Sequence, residues 1–257
     1  MRRLQLMSMQ ERYPTLCQSM LAPDRYRHPT EEPPLCLSGA CEGADEFFGC
    51  MAPSVGHLVA HVMGPRNVPS EMCASAQSHA LYNVSDELLH DAQIDAAMQQ
   101  AIAKRAGVAS NMNGWLEDSR RNYLQVCCAE ACVCVSYRNK ASEEVVSKLD
   151  IGGGTGYAAQ WYVDRFQPTG PEEPAHCHLY LWDDGNPSVP TCLIDPATHH
   201  RWNRWEDERW VPLADGEGPP LSNFRVYAGI GATRLSEAGL AAIRDLYKGL
   251  PSGEPET

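Results

Sequence analysis

The stretch from Gln160 to Asp195 constrains the fold most, because turn chemistry divides it into three strand-like runs. Gln160-Trp-Tyr-Val-Asp-Arg-Phe166 is rich in aromatic and β-branched residues, which suit a pleated, half-buried surface. Pro168 to Pro174 breaks that pattern. His176-Cys-His-Leu-Tyr-Leu-Trp182 is a second run, ending in Asp183-Asp-Gly-Asn-Pro187. An Asp-Gly pair between apolar runs supplies the positive φ that a tight hairpin turn needs. Thr191-Cys-Leu-Ile-Asp195 returns as the third run and stops at Pro196. The pattern predicts a three-stranded antiparallel meander. It sets His176 at the start of one strand and Asp195 at the end of its hairpin partner, within reach of a cross-strand pair.

Composition bounds what such a sheet can serve. A chain of 257 residues, 43% hydrophobic, can bury a core of one large or two small domains. A net charge of −12, with no basic run to offset it, argues against nucleic acid as a partner. No apolar stretch approaches the roughly 20 residues of a membrane span. Met1-Arg-Arg3 leads to Gln10, Glu11 and Arg12 rather than to an apolar block, so no signal peptide is expected. The eleven cysteines then read as reduced thiols of a cytoplasmic protein, or of an effector or toxin exported without a cleaved signal.

Along the chain, residues 1–45 carry five prolines and read as an irregular arm, and 46–126 as a mostly helical region. Val55, Leu58, Val59 and Val62 have helical spacing; Ser70 is a candidate N-cap for a helix through Cys73 and Ala80, and Ser85 (or Asp86) for a longer one. Ile94, Met98, Ala101 and Ile102 form a helical stripe that Gly107 would close. Trp115 to Tyr137 reads as a helix or as a helix followed by a strand. A helix is expected over Ser142–Leu149. Residues 127–250 form an α+β region with a strand near Phe224–Tyr227 and a final helix capped by Ser236, and 251–257 are a tail.

His176-Cys-His-Leu-Tyr-Leu-Trp182 and Leu193-Ile-Asp-Pro196 resemble the His and Asp blocks of the transglutaminase-like and protein-glutaminase families. The resemblance covers about residues 125–200. It implies a papain-like fold and a Cys-His-Asp machine that attacks amide bonds of a protein or peptide, most simply deamidating glutamine. No cofactor is implied. In those families the catalytic cysteine opens a helix, and Cys134 fits best by its distance to Gly152. Cys127, Cys128, Cys132 and Cys73 stay open as alternatives, and His178 could exchange roles with His176. A thiolate at a helix N-terminus beside an imidazolium is a competent nucleophile, with the carboxylate orienting the ring. The plain alternative is that these cysteines are small core residues.

A second word competes. Leu149-Asp-Ile-Gly-Gly-Gly-Thr-Gly156 resembles the first motif of class I S-adenosylmethionine-dependent methyltransferases, with Asp183 or Asp184 as the ribose-binding acid. There a glycine-rich turn lets the backbone approach the cofactor. Its context is poorer, since Trp161–Phe166 reads as a strand where that motif should open a helix. Metal is weakly supported: no paired C-x2-C knuckles occur, and His57-Leu-Val-Ala-His61 lacks a zincin's glutamate. Trp202, Trp205 and Trp210 suggest a surface-lying segment. The sequence thus predicts an α+β chain, a helical N-terminal half followed by an antiparallel papain-like sheet, acting through Cys134, His176 and Asp195. A methyltransferase and a non-catalytic helical interaction protein are the alternatives.

Overall fold

The computed structural model describes residues 31–65, 67–75, 79–105, 116–138, 149–165, 177–185 and 197–250. Within them lies one sheet of eight strands. They are β1 (Leu35–Ser38), β2 (Leu58–Met63), β3 (His79–Asn83), β4 (Ala131–Ser136), β5 (Leu179–Asp183), β6 (Trp202–Glu206), β7 (Arg209–Pro212) and β8 (Val226–Gly231). Their order is β3-β2-β1-β8-β4-β5-β6-β7. From β3 across to β5 the neighbours are parallel, whereas β6 and β7 return antiparallel as an edge hairpin.

A parallel strand has both faces covered, so it reads as a continuous apolar run rather than an alternation. Ala131-Cys-Val-Cys-Val135 is such a run, and it is buried throughout. Alternate residues serve opposite layers. Val133 and Val135 pack with Phe48 of α1 (Ala44–Met51) and Ile243 of α7 (Glu237–Lys248). Cys132 and Cys134 pack on the other face with Tyr157 and Ala158 of α6 (Gly153–Arg165). Beside α6 on that face lies α5 (Leu116–Cys127), whose Leu124 meets Leu35 and Val62. Fully burying each of these large apolar side chains contributes about 1.5–3 kcal/mol.

Mixed helix and sheet was expected and is present. The N-terminal half, however, is not simply helical, because it holds β1, β2 and β3. Leu58-Val-Ala-His-Val-Met63 has helical spacing by coincidence; it is a buried parallel strand, which has no alternation to betray it. Ser70 caps α2 (Glu71–Ser75) through the Cys73 N–H, but Ala80 belongs to β3 and not to this helix. Ser85 caps α3 (Asp86–Leu89), and Asp91 caps α4 (Ala92–Lys104), which buries Ile94, Met98 and Ala101 as the stripe requires. Trp115–Tyr137 resolves as α5 followed by β4 over its described residues.

The meander is corrected. Gln160 to Arg165 is the second half of α6, whose aromatic residues are buried on nearly every side. The run ending at Trp182 is a strand, β5, but both its edges are taken by β4 and β6. The third run, Thr191–Asp195, lies outside the described residues. Trp202, Trp205 and Trp210 belong to the β6–β7 hairpin and are buried; Trp205 and Trp210 meet edge to face at 4.9 Å. Its turn residues Asp207 and Glu208 both take positive φ, 47° and 58°, a geometry usually signalled by Asn-Gly and therefore missed. Among the described residues no helix is long and apolar enough to cross a membrane.

Candidate ligand site at the carboxyl edge of the sheet

Of the three residues expected for a thiol site, only Cys134 is among the described residues. Cys134 lies within β4, fully buried, with its Sγ 3.6 Å from that of Cys132. It does not open a helix, because its β-branched neighbours continue the strand. His176 and Asp195 lie outside the described residues, as does the helix expected over Ser142–Leu149 except Leu149. His178 precedes β5, with its ring 5.0 Å from that of Phe224. Burial pushes the Cys127 thiol up, and a hydrogen bond with Cys134 together with burial does the same for Cys132. Such thiols are poor nucleophiles. His57 and His61 flank and enter β2 rather than sharing a helix face, and among the described residues no three ligating side chains converge as a metal site.

In open α/β sheets ligands bind outside the carboxyl ends of the strands, at the crevice where strand order reverses. Here β1, β2 and β3 wind outward one way and β4 to β7 the other, with β8 between β1 and β4. Two glycine-containing turns flank that centre. They differ in what fills them.

The first, Gly39–Gly43, leads from β1 into α1. Gly43 has φ 93°, and a Cβ there would lie 2.5 Å from the carbonyl oxygens of Ala232 and Thr233. The Ala44 N–H donates to the Ala232 carbonyl at 3.1 Å. Asp45, in the first turn of α1, accepts from the Gly231 N–H at 3.3 Å and from Arg121 at 3.1 Å. Arg121 also donates to the Val62 carbonyl and meets the Cys41 thiol. Burial raises the Asp45 pKa, opposed by the Arg121 charge. The α1 end is closed by the protein's own groups.

The second turn, Asp150–Gly154, leads into α6. Buried Arg105 donates to the carbonyls of Leu149, at 2.8 Å, and Ile151, and lies 5.2 Å from the Tyr157 ring centroid. Desolvation lowers its pKa to about 10. Gly156 is needed beneath it, since a Cβ would sit 2.1 Å from the guanidinium. Gly152 makes room for the Tyr137 ring, and Gly153 has φ 62°. Packing explains Gly152 and Gly156, and backbone conformation Gly153, without a ligand. Neither explains what the turn presents.

The N–H groups of Gly153, Gly154 and Thr155 have no acceptor among the described residues, and Gly153 and Gly154 are partly exposed. Beside them stand polar side chains in the same condition. Asn122 of α5 is 6% exposed; its Nδ2 reaches the Gly154 carbonyl at 3.5 Å, and its Oδ1 has no partner. Gln125, one turn deeper on α5, is fully buried with neither amide atom paired. Ser136 ends β4 on the α6 side, by alternation with Cys132 and Cys134, and its buried Oγ is also unpaired. Leaving a buried polar group unmet costs about 1–3 kcal/mol.

The acids offered for ribose are engaged elsewhere. Asp183, in register with Ser136, accepts the Gly185 N–H at 3.2 Å, and burial raises its pKa against that bond and the Arg138 charge. Asp184 accepts from the Ser236 N–H and hydroxyl at 2.7 and 2.5 Å. Sequence reading missed Asn122, Gln125 and Ser136. A signal existed: Ser119, Asn122 and Gln125 recur every third residue, and Ser136 is the polar end of an apolar strand.

A separate cavity of about 250 Å³ lies among α4, α5 and α6, bordered by Ala97, Tyr123, Trp161 and Arg165. Two of its polar side chains are used within the chain: Trp161 donates to the Ala97 carbonyl, and Arg165 to those of Val126 and Ala129. No family model matches this chain, and no curated protein or solved structure is significantly similar to it.

Proposed function

We propose that the chain binds a small phosphate-bearing molecule of nucleotide type, with the phosphate at the N-terminus of α6. The observation that carries the reading is the set of first-turn N–H groups without an acceptor among the described residues, beside the unpaired buried hydroxyl of Ser136. A helix N-terminus is a ready anion site, since its free N–H groups and the helix dipole both favour negative charge. Ser136 Oγ and Asn122 Nδ2 would donate to phosphate oxygens. The position, at the carboxyl end of β4 beside the reversal of strand order, agrees with where doubly wound sheets hold ligands.

The test is thermal unfolding of the full chain with ADP, inorganic phosphate or S-adenosylmethionine. A ligand at 100 times its Kd should stabilise the fold by about 2.7 kcal/mol. The reading expects ADP to raise Tm at lower concentration than phosphate. Stabilisation by S-adenosylmethionine alone would favour the methyltransferase reading, and no response to any of the three would overturn the proposal. Thiol-dependent attack on amides is the rival. A single cysteine labelled fast by iodoacetamide below pH 7, and slowed by His176→Ala, would favour that rival.

A further inference from the structure

Four of the described cysteines come as sulfur pairs within one stretch of chain: Cys127 with Cys128 at 3.7 Å, and Cys132 with Cys134 at 3.6 Å. All four are buried. A third pair joins two separate elements. Cys50, in the last turn of α1, packs with Cys73 of α2 in a small cluster closed by Ala40, Met63 and Leu81. Both thiols therefore sit at the contact between α1 and α2.

The pair is asymmetric. Cys73 is 1% exposed, whereas Cys50 is partly exposed and so within reach of a small solute. The neighbouring Cys73 thiol lowers the Cys50 pKa, while Cys50 and burial raise that of Cys73. A low-pKa, accessible thiolate next to a second thiol is the arrangement in which oxidation proceeds to a disulfide.

We infer that Cys50 and Cys73 form a peroxide-oxidisable dithiol, with Cys50 attacking and Cys73 resolving. The Cys50 thiolate attacks one oxygen of hydrogen peroxide, the O–O bond breaks, and a sulfenic acid forms as hydroxide leaves and is protonated to water. The Cys73 thiol, giving up its proton, then attacks the sulfenic sulfur, and a second water leaves as the disulfide forms. In sum two thiols and one peroxide give one disulfide and two waters. The bond would staple α1 to α2, which otherwise follow different strands. This inference rests on neither the phosphate site nor the amide-hydrolase reading.

The experiment treats reduced full-length chain with graded hydrogen peroxide, blocks remaining thiols, and maps them by mass spectrometry. Cleavage after glutamates at 46, 71 and 87 places Cys50 and Cys73 on separate peptides with no other cysteine. The expected result is joint loss of both free thiols before any other, with a linked peptide pair lighter by two hydrogens. Cys73→Ser should trap Cys50 as a dimedone-reactive sulfenic acid, and Cys50→Ser should leave Cys73 resistant to peroxide. A Cys50 that oxidises no faster than Cys36, or that links to another cysteine in wild type, would overturn the inference. The Cys50→Ser arm alters a partly exposed side chain, so it stays readable if Cys73→Ser fails to fold.

Discussion

The turns that open α1 and α6 are made of similar residues at one edge of one sheet, yet among the described residues only the first is filled. Around Gly39–Gly43 the hydrogen-bonding groups meet other parts of the chain: Asp45 meets Arg121 and Gly231, and Ala44 meets Ala232. Around Gly152–Gly154 the scaffold is equally firm, clamped by Arg105, but the groups it presents are unmet. Glycine-rich sequence alone therefore does not distinguish a structural joint from a binding turn. The difference lies in whether the freed N–H groups have partners.

That contrast is open to attack by substitution. The largest effect should come at the filled turn: Arg121→Met leaves the buried Asp45 carboxylate without its cation and should cost about 3–5 kcal/mol in urea unfolding. Adding Asp45→Asn should recover part of that loss. Next, Gly43→Val must fit a branched side chain at φ 93° against two carbonyls, and should cost about 3 kcal/mol.

At the open turn the stability effects should be small and the binding effects large. Gly154→Ala meets only Ser119 Oγ at 3.2 Å and Asn122 Nδ2 at 3.6 Å, and should change stability by less than about 1 kcal/mol. It should nonetheless weaken ADP binding in calorimetry, by crowding the free N–H groups. Ser136→Ala removes an unmet buried hydroxyl and should leave the fold as stable or more so, by up to about 1 kcal/mol, while also weakening ADP. A Ser136→Ala chain that unfolds easily would make Ser136 part of the scaffold and erase the contrast.

The smallest effect concerns pH and lies away from both turns. Burial lowers the pKa of His57, whose Nδ1 is 3.0 Å from the Tyr227 hydroxyl. A depressed pKa means the neutral ring fits the fold. Its stability contribution is thus present above the ordinary imidazole pKa and lost as pH falls through the depressed value. Tm should fall modestly from pH 7 to pH 5, and His57→Gln should lessen the fall.

Much of the local structure was legible in the sequence. Ser236 caps the final helix as its spacing indicated, the Ile94–Met98–Ala101 stripe is buried although Asp91 rather than Ser85 caps its helix, and Trp182 lies in a strand. The topology was not. Parallel strands buried on both faces carry no alternation, so β2 passed for a helix, and α6, apolar on nearly all sides, passed for a strand. Misreading α6 then removed the helix that the glycine word should open and made an antiparallel meander look natural. The candidate site was legible only in part, as Gly152–Gly156. Asn122, Gln125 and Ser136 matter through partners they lack, and that shows only once the chain is folded.

The central claim is that the α6 end is open and the α1 end closed. A titration of isotope-labelled chain with ADP, followed through backbone amide resonances, tests it most directly. The account predicts that the amides of Gly153, Gly154 and Thr155 shift with a common saturating curve while those of Gly39, Gly43 and Ala44 stay fixed. Shifts at Gly39–Ala44 without any at Gly153–Thr155, or no shift at either turn, would contradict it.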